Sequence, residues 1–288
     1  MEIEYVTHSQ DVDLMMNEPH VMALGFFDGV HLGHQYLLEK AKNIARQNNL
    51  HFTVMTFDPH PSEIIGSTTN RRYLTPLPSK LEKISSCGVD KVYVVRFDPL
   101  FASLSPSEFI QQYIVDLNVK HVVVGFDFKF GFKASGDTKY LQNKGNNNSF
   151  GVTVIPKITN DYNKISSTLI KQLINDGDVH LVPRYLGKHY EMSGRIELSA
   201  DLRKQKIPNH VDFYLQTKNI CPKPGDYMVE ITNGNKSSHS LLRCHDSIRH
   251  HLELIDSNKR SFVGEKAEKI NIKFLYRVPS ISASAALV

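Results

Sequence analysis

Cysteine is scarce in this sequence, and its placement suggests no scaffold. Among 288 residues there are three cysteines, Cys87, Cys221 and Cys244, and no two of them form a C-x-x-C pair. An odd number at wide spacing argues against a disulfide framework and against a cysteine-based zinc site. A reducing compartment is the natural environment for such a chain, so we expect a cytoplasmic protein.

Long apolar runs and blocks of one charge are also missing. No run approaches the roughly 20 apolar residues that span a bilayer, and the N-terminal Met1-Glu2-Ile3-Glu4 lacks the pattern of a secretory signal. The net charge is +4, without any Lys/Arg-rich run. Because nucleic-acid binders more often carry a dense basic stripe, we expect neither a nucleic acid nor a membrane as partner. The oligomeric state stays open.

What is present fits a chain with two cores. With 41% hydrophobic residues over 288 positions, the chain is long and apolar enough for two domains. Five apolar runs predict the strands of a parallel sheet, namely 20–24, 52–57, 91–97, 121–126 and 152–157. Helical patterns lie between them, including 34–47 and the segment after a capping box at 105–108. We therefore predict a doubly wound α/β domain over residues 1–186.

The pattern changes after about residue 187. Apolar and polar residues then alternate in short runs, at 190–198, 211–217, 227–232, 250–256 and 269–276. This alternation, with turn residues between the runs, predicts an antiparallel all-β second domain over residues 187–288, either a sandwich or a small barrel. Within the first domain, the long stretch 128–150 shows no clear strand and is interpreted as a functional or partly helical loop.

The segment after the first predicted strand is the strongest candidate for chemistry. It reads Gly25-Phe26-Phe27-Asp28-Gly29-Val30-His31-Leu32-Gly33-His34 and leads into a helix predicted to start at the last histidine. Glycines allow a tight turn and close approach of a ligand, and a helix N-terminus attracts phosphate. The two histidines can both donate to phosphate oxygens. Two plainer interpretations remain: polar loop residues, one of them capping the helix, or part of a metal site, although no acidic or cysteine partner is near in sequence.

Three further segments resemble parts of a ligand site. Residues 165–171 (ISSTLIK) combine good helix caps with a lysine one turn later, which could hold a second phosphate or simply cap a helix. Residues 57–61 (FDPHP) and 125–131 (GFDFKFG) follow predicted strands, where ligands bind in open α/β sheets. Their prolines and aromatics could line a flat ring system, or could reflect turn formation and strand propensity alone.

These four segments, in this order, resemble one known family. Residues 25–34 are similar to the G-x-F-D-G-V-H-x-G-H form of the nucleotidylyltransferase H-x-G-H signature, which is characteristic of prokaryotic FAD synthetases. The segments 57–61, 125–131 and 165–171 resemble that family's F-D-P-H-P, G-x-(D/N)-F-x-F-G and I-S-S-T-x-I-R motifs. The likeness covers about residues 20–185. Lys171 stands where the family usually has arginine, which keeps the charge but loses bidentate geometry.

The resemblance implies an activity and a set of roles. The implied reaction is FMN plus ATP giving FAD plus pyrophosphate, with Mg²⁺ bridging phosphate oxygens and no ligand set for a metal in the protein itself. The implied catalytic residues are His31, His34 and Lys171. The implied ATP-binding residues are Gly25, Phe27, Asp28, Gly33, Ser167 and Thr168, and the implied FMN-binding residues are Pro59, Pro61, Asp127 and Phe128.

The second domain resembles the family's riboflavin kinase barrel but lacks its chemistry. Where the family has G-F-P-T-A-N, residues 206–211 read KIPNHV, without the threonine and asparagine that help to bind magnesium and phosphates. His251 stands where the family has a glutamate base, although Glu253 could replace it if the register shifted by two residues. We therefore expect a catalytically inactive barrel and an FAD synthetase without riboflavin kinase activity.

Several alternatives remain at this point. The protein could be a bifunctional riboflavin kinase/FAD synthetase, or a flavin- or nucleotide-binding regulatory protein without turnover. A related nucleotidylyltransferase with another phosphate acceptor is a further option, although a pantetheine-phosphate enzyme would end near the first domain. A class I tRNA synthetase would need a longer chain and a basic RNA-binding face.

Overall fold

The computed structural model describes residues 1–7, 18–66, 71–148, 150–197, 211–234, 236–246, 251–255 and 269–279. The chain forms two compact units. The first comprises Met1–Arg71 and Leu77–Lys164, and the second comprises Arg72–Pro76 and Ile165–Val288. In the described part of the chain, no helix combines the length and the apolar character needed to cross a lipid bilayer.

A six-stranded parallel sheet organises the first unit, which confirms the predicted doubly wound α/β fold. Its strands are β1 (Glu2–Val6), β2 (His20–Leu24), β3 (His51–Asp58), β4 (Lys91–Arg96), β5 (Val119–Gly125) and β8 (Gly151–Ile155), in the order β1-β4-β3-β2-β5-β8. The edge strand β1 was absent from the five predicted strands. Two small hairpins complete the unit's strands, β6 (Lys129–Phe130) with β7 (Gly136–Asp137) and β9 (Thr159–Asn160) with β10 (Asn163–Lys164).

Helices cover both faces of this sheet. They are α1 (Leu32–Gln47), α2 (Pro61–Ile64), α3 (Leu77–Ser85), α4 (Pro99–Ser103), α5 (Pro106–Ile110, continued by a π-helical turn to Val115) and α6 (Thr138–Asn148). Alternate residues of β2 enter two cores: Met22 packs with residues of α5 and α6, and Val21 packs with residues of α1 and α3. Such alternation is what a strand covered on both faces requires. Helix α6 shows that the stretch 128–150 is partly helical.

A closed antiparallel barrel dominates the second unit and confirms the small barrel among the predicted alternatives. Its strands are β11 (Tyr190–Glu197), β12 (Val211–Gln216), β13 (Gly225–Asn233), β14 (Lys236–Asp246), β15 (His251–Leu254) and β16 (Lys269–Arg277), in the order β11-β12-β15-β14-β13-β16. Four large aromatic side chains fill the interior and are almost fully buried, namely Tyr190, Phe213, Tyr227 and Phe274. Helices α7 (Ser167–Asp176) and α8 (Pro183–Leu186) precede the barrel in the chain.

The short segment Arg72–Pro76 belongs to the second unit although residues of the first unit flank it on both sides. Tyr73 forms a parallel bridge with Asn219, in which the Tyr73 N–H donates to the Lys218 carbonyl (2.9 Å) and the Ile220 N–H donates to the Tyr73 carbonyl (2.9 Å). The buried Asn219 amide also donates to the Leu74 carbonyl (3.0 Å). These hydrogen bonds therefore attach the segment to residues 218–220 of the second unit.

Candidate active site

The turn between β2 and α1 has an unusual backbone. Phe27 and Val30 have positive φ angles of 57° and 48°, and Gly29 between them has a φ of 87°. Residues other than glycine seldom adopt this conformation, and such strain concentrates at ligand sites. We call residues 25–30 the elbow. Packing restricts its first residue as well, because a Cβ on Gly25 would lie 3.0 Å from the Phe27 ring.

His31 ends the elbow and caps α1. Its Nδ1 accepts a hydrogen bond from the backbone N–H of His34 (3.2 Å), and the helix begins at Leu32. The predicted start at His34 is therefore two residues too late, because the histidine acts as the cap that serine or aspartate usually provides. Since Nδ1 accepts, the proton of neutral His31 lies on Nε2, which leaves an N–H donor at the N-terminus of the helix.

The two histidines of the motif stack on each other. Their ring centroids lie 3.6 Å apart with an interplanar angle of 14°. Burial lowers the pKa of His31 to about 4, against the opposing effect of the Asp28 carboxylate. Burial, followed by the charges of His31 and Lys80, holds the pKa of His34 well below its usual value. Both rings are therefore neutral at pH 7, and each can donate one N–H to an anion.

One ring nitrogen of His34 has no hydrogen-bond partner among the described residues. This atom, Nδ1, is buried. Buried polar atoms are rarely left without a partner, so an atom of this kind beside a helix N-terminus suggests a site for a polar ligand. The Phe27 ring fixes the other side of His34 by an edge contact, with centroids 5.2 Å apart. Gly33 lies in the first helical turn and is half-buried.

The predicted proline segment lies beside the elbow. His60, between Pro59 and Pro61, caps α2, and its ring contacts the Phe26 ring edge-on with centroids 4.4 Å apart. Both prolines are half-buried at the carboxyl end of β3. The structure therefore brings this segment together with the elbow, at the edge of the sheet where ligands bind in folds of this type.

Asp127 follows the carboxyl end of β5 and forms an ion pair with Lys164, at 2.6 Å between Oδ2 and Nζ. The charges of these two residues act in opposite directions on the pKa of His31, so both lie within electrostatic range of that ring. Lys164 also lies over the exposed Phe126 ring, 4.7 Å from its centroid. Phe128 instead stacks on Phe130, with centroids 5.6 Å apart, and packs against the core.

The remaining predicted residues lie on α7 in the second unit. Ser166 caps this helix by accepting from the Leu169 N–H (3.3 Å), so Ser167 and Thr168 occupy the first turn. Lys171 donates from Nζ to the carbonyl of Arg72 (3.0 Å). The roles of these residues stay predictions.

One residue of this region was missed by the sequence interpretation. Lys80 on α3 is only 2% exposed, and its Nζ donates to the Thr56 hydroxyl (2.9 Å) and to the Phe26 carbonyl (3.1 Å) within the elbow. A weak signal existed, because Lys80 follows Leu77 by three residues and precedes Ile84 by four, on the apolar face of a helical pattern. A lysine on such a face indicates a partner inside the protein.

Comparisons with known proteins identify the family of this chain. The family model described as FAD synthetase matches residues 13–169. A protein of Listeria monocytogenes is 41% identical over 233 residues, covering 80% of this chain and 73% of its own length. A Bacillus subtilis relative is 40% identical over the same shares, and one of Escherichia coli K12 is 35% identical over 73% of this chain and 67% of its own length. All three are named bifunctional riboflavin kinase/FMN adenylyltransferase.

A solved structure shares the fold over the whole chain. The crystal structure of a protein described as a macrolide-efflux protein from Streptococcus pneumoniae matches with a TM-score of 0.84 at 24% identity, covering 100% of this chain and 94% of the other. At this identity the likeness supports the fold alone. The matches in sequence reach further, because the family model covers the elbow and both histidines and the relatives are 35–41% identical. This chain belongs to the FAD synthetase family and is an enzyme, a nucleotidyltransferase.

Proposed function

We propose that this protein makes FAD by transferring AMP from ATP to FMN, with release of pyrophosphate. The observation that carries this proposal is the pair of neutral, stacked histidines at the N-terminus of α1. A helix N-terminus with two N–H donors and a buried His34 nitrogen fits the phosphates of a nucleotide. The relatives' names indicate FMN as the acceptor.

In the proposed reaction, a phosphate oxygen of FMN attacks the α-phosphorus of ATP in line. The bond from the α-phosphorus to the bridging oxygen breaks, and pyrophosphate leaves with the electron pair. No side chain needs to form a covalent bond, so the protein contributes position and charge stabilisation. His31 and His34 donate hydrogen bonds to phosphate oxygens on which charge develops. Lys171, with Ser167 and Thr168, holds the pyrophosphate end.

A magnesium ion that binds together with ATP fits this site. Mg²⁺ keeps several water ligands and binds through substrate phosphates and one or two carboxylates, so it needs no protein cage. Asp28 and Asp127 are two carboxylates of the site region that would hold it. When bound, the ion would neutralise charge on the phosphate oxygens. For FMN, the pocket proposed from the motifs is lined by Pro59, Pro61, Asp127 and Phe128.

The proposal includes loss of the riboflavin kinase activity in the barrel. Residues 206–210, which replace most of the family's signature, lie outside the described residues. Glu253 is buried and accepts from His245 Nε2 (2.9 Å), with an Arg243 guanidinium nitrogen at 3.6 Å. A carboxylate engaged in this way is a poor base for a substrate hydroxyl, which supports the loss. A bifunctional enzyme remains the second candidate, because it fits the relatives' names.

The proposed functional domains are residues 1–186 for adenylyl transfer and residues 187–288 for the barrel. This division follows the end of α8 at Leu186, after which Gly187 turns the chain with a φ of 80°. The first domain then includes α7, although α7 packs in the same compact unit as the barrel. The three unpaired cysteines support the cytoplasm as the compartment.

One assay separates the candidate functions. The purified chain is incubated with Mg·ATP and either FMN or riboflavin, and the flavins are separated by chromatography. We expect FAD from FMN and no product from riboflavin. FMN formed from riboflavin would show that the barrel kept its kinase activity. Binding of ATP and FMN without any FAD would favour a regulatory protein instead.

A further inference from the structure

Lys80 is a charged side chain in a position that packing alone would fill with an apolar one. It lies on α3 between Leu77, Leu81 and Ile84, and α3 packs against the turn Asp28–Val30 of the elbow. Moving an ammonium group out of water costs several kcal/mol, and replacing a buried charge with a well-packed apolar residue is often neutral or stabilising. A lysine at this position is therefore not explained by its contribution to the stability of the fold.

The ammonium group joins the ends of two neighbouring strands. It donates to the Phe26 carbonyl, just beyond β2, and to the Thr56 hydroxyl near the end of β3. That hydroxyl in turn donates to the same Phe26 carbonyl (3.0 Å), and the Phe57 carbonyl lies 3.4 Å from Nζ. The Phe26 peptide is thus held by two donors that also contact each other.

The same ammonium group fixes the Phe26 ring. Nζ lies 4.2 Å from the ring centroid, which is within the range of a cation–π contact. The next residue, Phe27, is the first of the elbow with a positive φ, at 57°. A rotation of the peptide between these two residues would change the direction of the whole elbow and of His31 after it. Errors of about 1 Å in such positions can reduce turnover by about 100-fold.

We infer that Lys80 is a positioning residue for nucleotidyl transfer, which holds the elbow in the conformation that presents His31 and His34 and places a positive charge near His34. This inference rests on the proposed function of those histidines. It assigns Lys80 no contact with substrate. It also explains why an ammonium, with three donors and a charge, occupies a site that methionine could fill.

The charge of Lys80 gives the inference a signature in pH. Burial lowers the pKa of Lys80 to about 8, against the opposing charges of Asp28 and Asp58. On α1, the Lys80 charge contributes to lowering the pKa of His34. The ammonium therefore loses its proton as the pH rises through about 8, and the affinity of the free enzyme for ATP should fall over the same range. A role limited to packing would produce no such dependence.

The test compares Lys80→Met with Lys91→Met. Lys91 is also buried, but it lies at the start of β4, at the opposite end of the sheet, where it pairs with Glu2 and Glu4. We expect Lys80→Met to lower kcat by about 10- to 100-fold with an unchanged Kd for FMN, and Lys91→Met to stay within twofold of the parent protein. The decrease in affinity for Mg·ATP above pH 8, measured by calorimetry, should be present in the parent protein and absent in Lys80→Met.

Two further results decide the remaining cases. Thr56→Val removes the hydroxyl that links Lys80 to Phe26 and should lower kcat several-fold; this variant replaces the test if Lys80→Met fails to fold. A Lys80→Met protein within threefold of the parent kcat, or with the parent's pH dependence of ATP binding, would overturn the inference. If the parent protein makes no FAD, the proposed function fails, whereas the calorimetric comparison still tests Lys80.

Discussion

Replacing His31 with asparagine separates the two tasks of this side chain. His31 caps α1 through Nδ1, and its Nε2–H is the proposed donor to a phosphate. Asparagine is among the best helix caps, and its Oδ1 can accept the same bond from the His34 N–H, but it is too short to replace the Nε2–H. Alanine removes both functions. The pair His31→Asn and His31→Ala is therefore a matched comparison.

The expected magnitudes differ for the two tasks. Loss of one preorganised donor to developing charge lowers kcat by about 100- to 1,000-fold, and both variants should show this loss. Loss of a helix cap costs about 1 kcal/mol of stability, which is roughly 3 °C in the melting temperature of a domain of this size. Only His31→Ala should show it. Because the flavin pocket is proposed elsewhere, the Kd for FMN should stay unchanged in both variants.

The assay measures FAD formation from Mg·ATP and FMN by chromatography, with a thermal melt of each variant. A kcat for His31→Asn within threefold of the parent protein would refute the proposed role of the Nε2–H, because the cap alone would then suffice. A raised KM for ATP with an unchanged kcat in both variants would show that His31 acts in ground-state binding only.

Two other predictions follow from the packing and burial of the site. Burial lowers the pKa of His31 from 6.5 to about 4, so the folded state binds a proton less readily than the unfolded chain does. The stability that is present above pH 6.5 is therefore lost as the pH falls. His31 alone should cost about 2 kcal/mol between pH 7.5 and pH 5, and chemical denaturation of His31→Asn at both pH values should show a smaller decrease; equal decreases would contradict the neutral buried ring. Gly25→Ala places a Cβ 3.0 Å from the Phe27 ring, which must move against His34. The KM for ATP should rise and stability should fall by about 1–3 kcal/mol, whereas parent-like values of both would show that the ring has room.

Local patterns predicted most of the architecture. Five of the six sheet strands appeared as apolar runs, and the barrel appeared as alternation, because burial on two faces or on one determines which positions are apolar. Strand β1 was missed because it lies at the edge, where Glu2 and Glu4 pair with Lys91 and interrupt the apolar pattern. The first sheet strand therefore depends on contacts with β4 that no local window contains.

The site was predicted only in part, because some of its residues are contiguous in sequence and others are far apart. The elbow and its histidines are contiguous in sequence, so glycine spacing and a helix start were enough to find them. Lys80 was not found because its partners, Phe26 and Thr56, are 54 and 24 residues away along the chain. Lys164 was missed similarly, since its pairing with Asp127 spans 37 residues. Side chains that act by supporting others become visible only when the strands are assembled.

The segment Arg72–Pro76 determines how this protein can be divided. Several of its partners, including the Thr217 carbonyl that accepts from Arg72 (2.8 Å), lie more than 140 residues later in the sequence. A recombinant fragment ending at residue 164 or 186 would keep this stretch but lose the barrel residues that form hydrogen bonds with it. No single cut releases either half intact. The fold of the barrel is therefore needed to hold a segment from the N-terminal half of the sequence, whatever chemistry the barrel itself performs.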